Sequence, residues 1–187
     1  MDEHQLISLA REGHQNAFRQ LYDTHKETVY RLAYRYVRSQ QDAEDIMQDT
    51  FIKAFKSIQS FIRENDAAFS SWLNRICINN ALDLIRKKKR RKIDRFISLE
   101  DMVTEPESNR QSPEQAVQSE QIRQLMSQAI QTLSPKQQII FDLRYGQHQA
   151  IKEIAVCMNC SESSIKTHLF RLMSKLRQEL KPILEER

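Results

Sequence analysis

Glycine and proline are scarce: the 187 residues hold 2 Gly and 4 Pro. Hairpins and sheets rely on glycine-rich turns, so this scarcity argues against a sheet and for helices. Aromatic residues make up only 7%. They and the β-branched residues are thin beside Gln, Arg, Leu, Ala, Glu and Lys, which form helices well. No run of about 18 apolar residues exists, so no segment is expected to span a membrane. Met1-Asp2-Glu3-His4-Gln5 has neither a basic segment nor an apolar stretch. A secretory signal is therefore not expected, and a cytoplasmic location is. The 3 cysteines are then expected to be reduced thiols. A phosphate-cradling Gly loop, a nucleophile–base spacing and a metal-ligand set are all missing, which speaks against an enzyme acting on nucleic acid. No cofactor and no metal are expected.

Hydrophobic residues make up 40% and charged residues 29%, which suits a soluble chain with buried cores. The net charge of +4 is unevenly distributed. Residues 1–95 hold 18 Lys/Arg and 13 Asp/Glu, residues 96–118 hold 1 and 5, and residues 119–187 hold 10 and 7. Two basic blocks flanking an acidic strip suggest two modules that each meet a polyanion.

Apolar spacing supports an all-α fold of two small helical domains. A short helix is expected over 4–13, stopped by Gly13. A longer one follows, with Phe18, Leu21, Tyr22, Val29, Leu32, Ala33, Tyr36 and Val37 on its inner side. Ser39-Gln40-Gln41 breaks it, and Asp42 is expected to cap the third helix. That helix repeats Ala43, Ile46, Met47, Thr50, Phe51, Ala54, Phe55 and Ile58 at a period near 3.6. Residues 60–69 are polar and irregular. Ser70 or Ser71 is expected to cap a fourth helix, which runs into the basic tract 86–92. Residues 96–118 carry Glu105-Pro106 and Ser112-Pro113 and resemble a flexible linker. In the second module Ser134-Pro135 predicts a helix start, and Gly146 is expected to end that helix.

Residues 149–175 carry the sharpest pattern. Ile151, Ile154 and Ala155 share one face of a short helix. Asn159 can take the left-handed conformation at the turn, and Ser161 can cap a second helix. This second helix places Ile165, Leu169, Leu172, Met173 and Leu176 on one face, with Lys166, Thr167, His168, Phe170, Arg171 and Lys175 elsewhere. A small residue in the first helix, a tight turn and a basic, polar second face suit docking in a DNA groove. A helical hairpin with a solvated face is the plainer alternative. Cys157 and Cys160 form a C-x-x-C pair, for which core packing is a simpler reading than zinc or redox chemistry.

Three segments together resemble the bacterial sigma-70 family, specifically its small extracytoplasmic-function (ECF) sigma factors. They are Asp42 to Lys56, Phe69 through the tract near Arg91, and Glu153-Ile154-Ala155 with Ser164 to Arg171. They come in the family's order. The resemblance implies region 2 over 1–95, a linker over 96–118 and region 4 over 119–187. It implies binding to core RNA polymerase at the β′ clamp helices through Asp42, Glu44, Asp45, Gln48 and Asp49, with the β flap as a further contact. It also implies promoter DNA as a partner. The −10 element falls to the loop at 61–69 and to Phe69, Trp72, Asn79 and Asn80, with Arg86, Lys87, Arg90 and Arg91 on phosphates. Trp72 also fits the core stripe of its helix. The −35 element falls to Lys166, Thr167, His168, Phe170, Arg171 and Lys175. An anti-sigma factor, in some cases membrane-anchored, is a further implied partner. The chain departs from the common family pattern at Ser164, where Thr is frequent, and at His168, where Arg is. A stand-alone helix-turn-helix regulator is the rival reading, and the 42–56 match does not fit it.

Overall fold

The computed structural model describes residues 1–61, 69–90 and 124–185, with no side-chain description at Lys89 or 182–185. The expected linker 96–118 and Arg91 lie outside the described residues. Every regular element among the described residues is helical. The chain divides into two compact units, the first built on Met1–Lys92.

In the first unit α1 spans Glu3–Arg11, α2 Gln15–Val37, α3 Gln40–Ser57 and α4 Phe69–Arg90, with a 3-10 turn at Ile58–Ser60. Asp2 and Gln5 form a reciprocal capping box on α1: the Gln5 amide donates to Asp2 Oδ1 at 2.8 Å, and the Asp2 amide to Gln5 Oε1 at 3.2 Å. Gly13 then reverses the chain at φ +96°, a conformation that costs glycine little. Arg38 at φ 52° ends α2. The cap of α3 is Ser39, not Asp42. Ser39 is extended at φ −133°, ψ 124°, and its Oγ accepts from the Asp42 amide at 3.3 Å. Asp42 is therefore the third helical residue. Ser70 and Ser71 likewise lie inside α4.

Fully buried alanines, Ala33, Ala43, Ala54 and Ala81, sit where α2, α3 and α4 pack against one another. Small side chains let the helices approach closely, and enlarging one overpacks the core by about 1–3 kcal/mol. Leu21, Leu73 and Ile78 fill the space between them, each contributing roughly 1.5–3 kcal/mol by burial. α3 and α4 run antiparallel, with the pairs Asp42/Lys88, Thr50/Asn80 and Phe61/Phe69 marking one register.

After these four helices come α5, described over 124–131, α6 over Pro135–Phe141, α7 over Ile151–Cys157 and α8 over Glu162–Glu185. Ser134 and Gln137 form the capping box of α6, with Pro135 in its first turn. The helix expected over 136–145 instead widens into a π turn at Asp142–Gly146. The cause is local. Asp142 is fully buried and its carboxylate accepts from Gln147 Nε2 at 2.7 Å, while its carbonyl accepts from the Gln147 amide at 2.8 Å. The left-handed residue after it is His148 at φ 55°, beyond Gly146. The carbonyls at the end of α5 and just past it are met by side chains: Gln138 Nε2 donates to Ile130 and Leu133, and the Lys175 ammonium donates to Thr132. Such partners replace the intrahelical bonds that a helix end lacks.

Candidate nucleic-acid interface

α7, a turn and α8 form a helix-turn-helix. Asn159 makes the turn at φ 49°. Ser161 Oγ then accepts from the Ser164 amide at 3.2 Å and so caps α8. Ile154 and Ile165 are fully buried, and Leu172 and Leu176 continue the inner stripe. Met173, expected in that stripe, is 40% exposed instead.

The outward face of α8 carries Lys166, Thr167, Phe170 and Arg171, all exposed, with Phe170 at 73%. The Thr167 hydroxyl donates back to the Ser163 carbonyl at 2.9 Å, which leaves its methyl group as the outward feature. His168 and Lys175, seven residues apart, occupy the flank of the helix rather than this face. His168 is half-buried, and burial, then Lys136 and Arg171, lower its pKa below the ordinary imidazole value. At neutral pH it is therefore a neutral ring and not a phosphate-binding cation. Lys175 is held by the Thr132 carbonyl. Both were expected on the groove face. Helical geometry turns them toward the α5–α6 junction, since residues i and i+7 share one side.

In the first unit, Glu44, Asp45, Gln48 and Asp49 are exposed along one edge of α3. Asp42 does not belong with them. Its carboxylate is largely covered and pairs with Lys88 across the α3–α4 junction. Burial opposes the ionised form of Asp42, but the Lys88 and Ser39 bonds outweigh it and hold its pKa below the usual value. The sequence reading also missed two members of this edge, Ile52 and Phe55, which are 51% and 48% exposed. Phe55 matches the apolar period of α3 and was expected in the core. It packs edge-on against Phe18, with ring centroids 5.0 Å apart. The edge thus joins acidic residues to open apolar ones, a polar rim beside an apolar anchor.

On α4, Asn79, Asp83, Arg86 and Arg90 are exposed and recur every three or four residues, so they form one stripe. Lys87 is exposed beside it, and Arg86 Nη1 pairs with Asp83 at 3.2 Å. The remaining −10 candidates point inward. Phe69 is 2% exposed and Trp72 9%. Their rings lie 5.5 Å apart and close on Phe61, at 5.7 and 4.9 Å, while His25 meets Phe69 at 5.4 Å. Both aromatics are core residues here and are not free to stack on bases. Asn80 is 8% exposed, and its Nδ2 donates to Thr50 Oγ1 at 3.1 Å while its Oδ1 accepts from the Lys53 ammonium. It faces α3, not solvent. The asparagine free to meet a ligand is Asn79.

Cys157 is buried and Cys160 half-buried. No group of three or more His, Cys, Asp or Glu that could hold a metal ion occurs among the described residues. No described helix is long and apolar enough to cross a membrane.

Sigma-70 region 2 matches residues 21–91, and Sigma-70 region 4 matches residues 123–176. The ECF RNA polymerase sigma factor SigW of Bacillus subtilis is 32% identical over 184 residues, covering 95% of this chain and 96% of the relative. The RNA polymerase sigma-H factor of Pseudomonas aeruginosa is 29% identical over 188 residues, covering 98% and 96%. Two solved structures share the fold. CnrH, in complex with the cytosolic domain of CnrY, superposes with a TM-score of 0.57 at 23% identity, covering 97% of this chain and 99% of that one. The sigma factor RpoE in complex with the anti-sigma factor NepR from Bartonella quintana gives 0.53 at 22% identity, covering 88% and 96%. With both family regions matched in order and a relative alike along nearly its whole length, this chain belongs to the sigma-70 family of RNA polymerase sigma factors, in its extracytoplasmic-function group.

Proposed function

We propose that this protein binds core RNA polymerase and directs promoter-specific initiation from the cytoplasm, without catalysis of its own. The observation that carries this reading is the pairing, in one chain, of two dissimilar surfaces. One is the acidic and apolar edge of α3, which suits protein docking. The other is the cationic and apolar face of α8, which suits base edges and thymine methyls in a major groove. In this reading residues 1–95 hold the β′ clamp helices through Glu44, Asp45, Gln48 and Asp49 and capture the opened −10 strand through Asn79. Arg86, Lys87 and Arg90 neutralise phosphates. Residues 119–187 meet the β flap and read the −35 duplex through Lys166, Thr167, Phe170 and Arg171, and 96–118 connects the two. Both structural neighbours were solved with a bound protein partner, one of them called an anti-sigma factor. An anti-sigma factor, membrane-anchored in our reading, accordingly controls this chain.

The test is transcription in vitro with core polymerase on genomic DNA. Discrete transcripts that depend on the protein, with co-purification of the β′ subunit, are expected. DNA binding without β′ capture and without new transcripts would instead mark a stand-alone regulator.

A further inference from the structure

The contacts between α3 and α4 have a consequence for how promoter opening is coupled to docking. The buried interface there is mostly apolar, and apolar faces tolerate sliding and rotation. Polar pairs do not, because each donor needs one particular acceptor. Such pairs recur along this interface. Thr50 is fully buried, its hydroxyl donating to the Ile46 carbonyl at 2.7 Å and accepting from Asn80 Nδ2 at 3.1 Å. Asn80 Oδ1 accepts from Lys53, one turn further along α3. Asp42 and Lys88 make a second link nearer the start of α3. Asn80 stands next to Asn79, so the direction of one side chain fixes that of the other. Adjacent residues on a helix differ by about 100°. With Asn80 pinned inward on Thr50, Asn79 must face out, in the same stripe as Arg86 and Arg90.

We infer that Thr50, Asn80 and Lys53 form a positioning device, setting the register of the −10-reading helix α4 on the polymerase-docking helix α3. The inference rests on the proposed sigma function, with α3 docked and Asn79 at the opened strand. Thr50 and Asn80 are positioning residues: neither touches DNA nor polymerase.

The test uses the full chain with core polymerase and a promoter that the wild-type protein opens. Wild-type transcription checks the proposed function separately. Thr50→Val removes the hydroxyl at nearly constant volume, and Thr50→Ser keeps it. Permanganate reactivity of −10 thymines should fall at least five-fold for Thr50→Val and return to within two-fold of wild type for Thr50→Ser. Affinity for core polymerase should stay within two-fold for both. Opening by Thr50→Val equal to wild type overturns the inference. So does an equal loss of core affinity and opening, which would mark general packing. Should Thr50→Val fail to fold, Asn80→Asp decides the matter: it keeps the acceptor for Lys53 but puts an acceptor where Thr50 Oγ1, whose proton goes to the Ile46 carbonyl, needs a donor. Five-fold loss of opening with core affinity intact supports the device, and opening within two-fold of wild type refutes it.

Discussion

The neighbours Asn79 and Asn80 should respond to alanine in opposite ways. Asn80→Ala removes an amide that donates to Thr50 Oγ1 and accepts from Lys53, at a position only 8% exposed. The bond to Thr50 is worth about 1 kcal/mol, and leaving the Thr50 hydroxyl without its donor adds to that. Lys53 is exposed, so its bond adds at most a few tenths. A truncated buried side chain also leaves a small void. These losses come to about 2 kcal/mol, and the better helix propensity of alanine returns about 0.6 of it, leaving about 1.5 kcal/mol. For a domain of this size each kcal/mol moves Tm by roughly 4–8 °C, so a fall of about 10 °C is expected in the first unit. Asn79 is exposed and makes no such bond to α3. Alanine there is expected to leave Tm unchanged or raise it slightly, since alanine favours a helix over asparagine by about 0.6 kcal/mol. Opening of the −10 element should nevertheless fall with Asn79→Ala. Circular-dichroism melting and permanganate footprinting of both variants supply the comparison. Equal Tm losses in the two proteins would refute the assignment of inward and outward faces on α4.

Charge reversal at Asp45 and Asp49 should weaken capture of the β′ subunit at least ten-fold at low salt, with Tm unchanged; reversal of Asp42 should instead lower Tm, because Asp42 holds Lys88. Arg171→Ala should cost roughly 1–3 kcal/mol in binding to an isolated −35 duplex, whereas Lys175→Met should act mainly on Tm, as its ammonium serves the end of α5; electrophoretic mobility shifts read the first and melting the second. Asp42 has a lowered pKa in the fold, so its stabilisation is present above the ordinary carboxylate value and is lost as pH falls through the lowered one; Asp42→Asn should flatten stability against pH in that acidic window. Burial pushes the Cys77 thiol up to about 12, which leaves a thiolate fraction on the order of 10⁻⁴ at pH 8. Half-buried Cys160 should therefore react first with a thiol reagent, and Cys77 only on unfolding; early modification of Cys77 in the native protein would contradict its burial.

The helices and the helix-turn-helix were legible because their signals are local. Ser134-Pro135, Asn159 and Ser161 each act within a few residues, and the structure places them as a cap, a left-handed turn and a cap. The inward positions of α4 were less legible. That helix packs on both α2 and α3, so its buried arc is wide: Leu73 and Cys77 lie on it, but so do Ile78 and Leu82. An apolar period marks a single stripe, and it cannot tell a polar residue inside a wide arc from one outside. Asn80 was misplaced for that reason. Phe69 and Trp72 have the chemistry of base stacking, and only the three-dimensional fold shows Phe61 and His25 occupying their faces. Lys175 shows the same limit in the second unit, since its acceptor, Thr132, lies 43 residues away.

The ring contact between Phe61 and Phe69 also bears on evolvability. These aromatics hold together the two ends of the intervening chain, at a centroid separation of 5.7 Å. Phe61 follows the 3-10 turn after α3 and Phe69 opens α4, and Trp72 closes on both rings. Side chains that share one contact cluster are energetically coupled, so replacing one of the three rings changes the cost of replacing the others. Selection is therefore expected to alter Phe61, Phe69 and Trp72 together rather than one at a time.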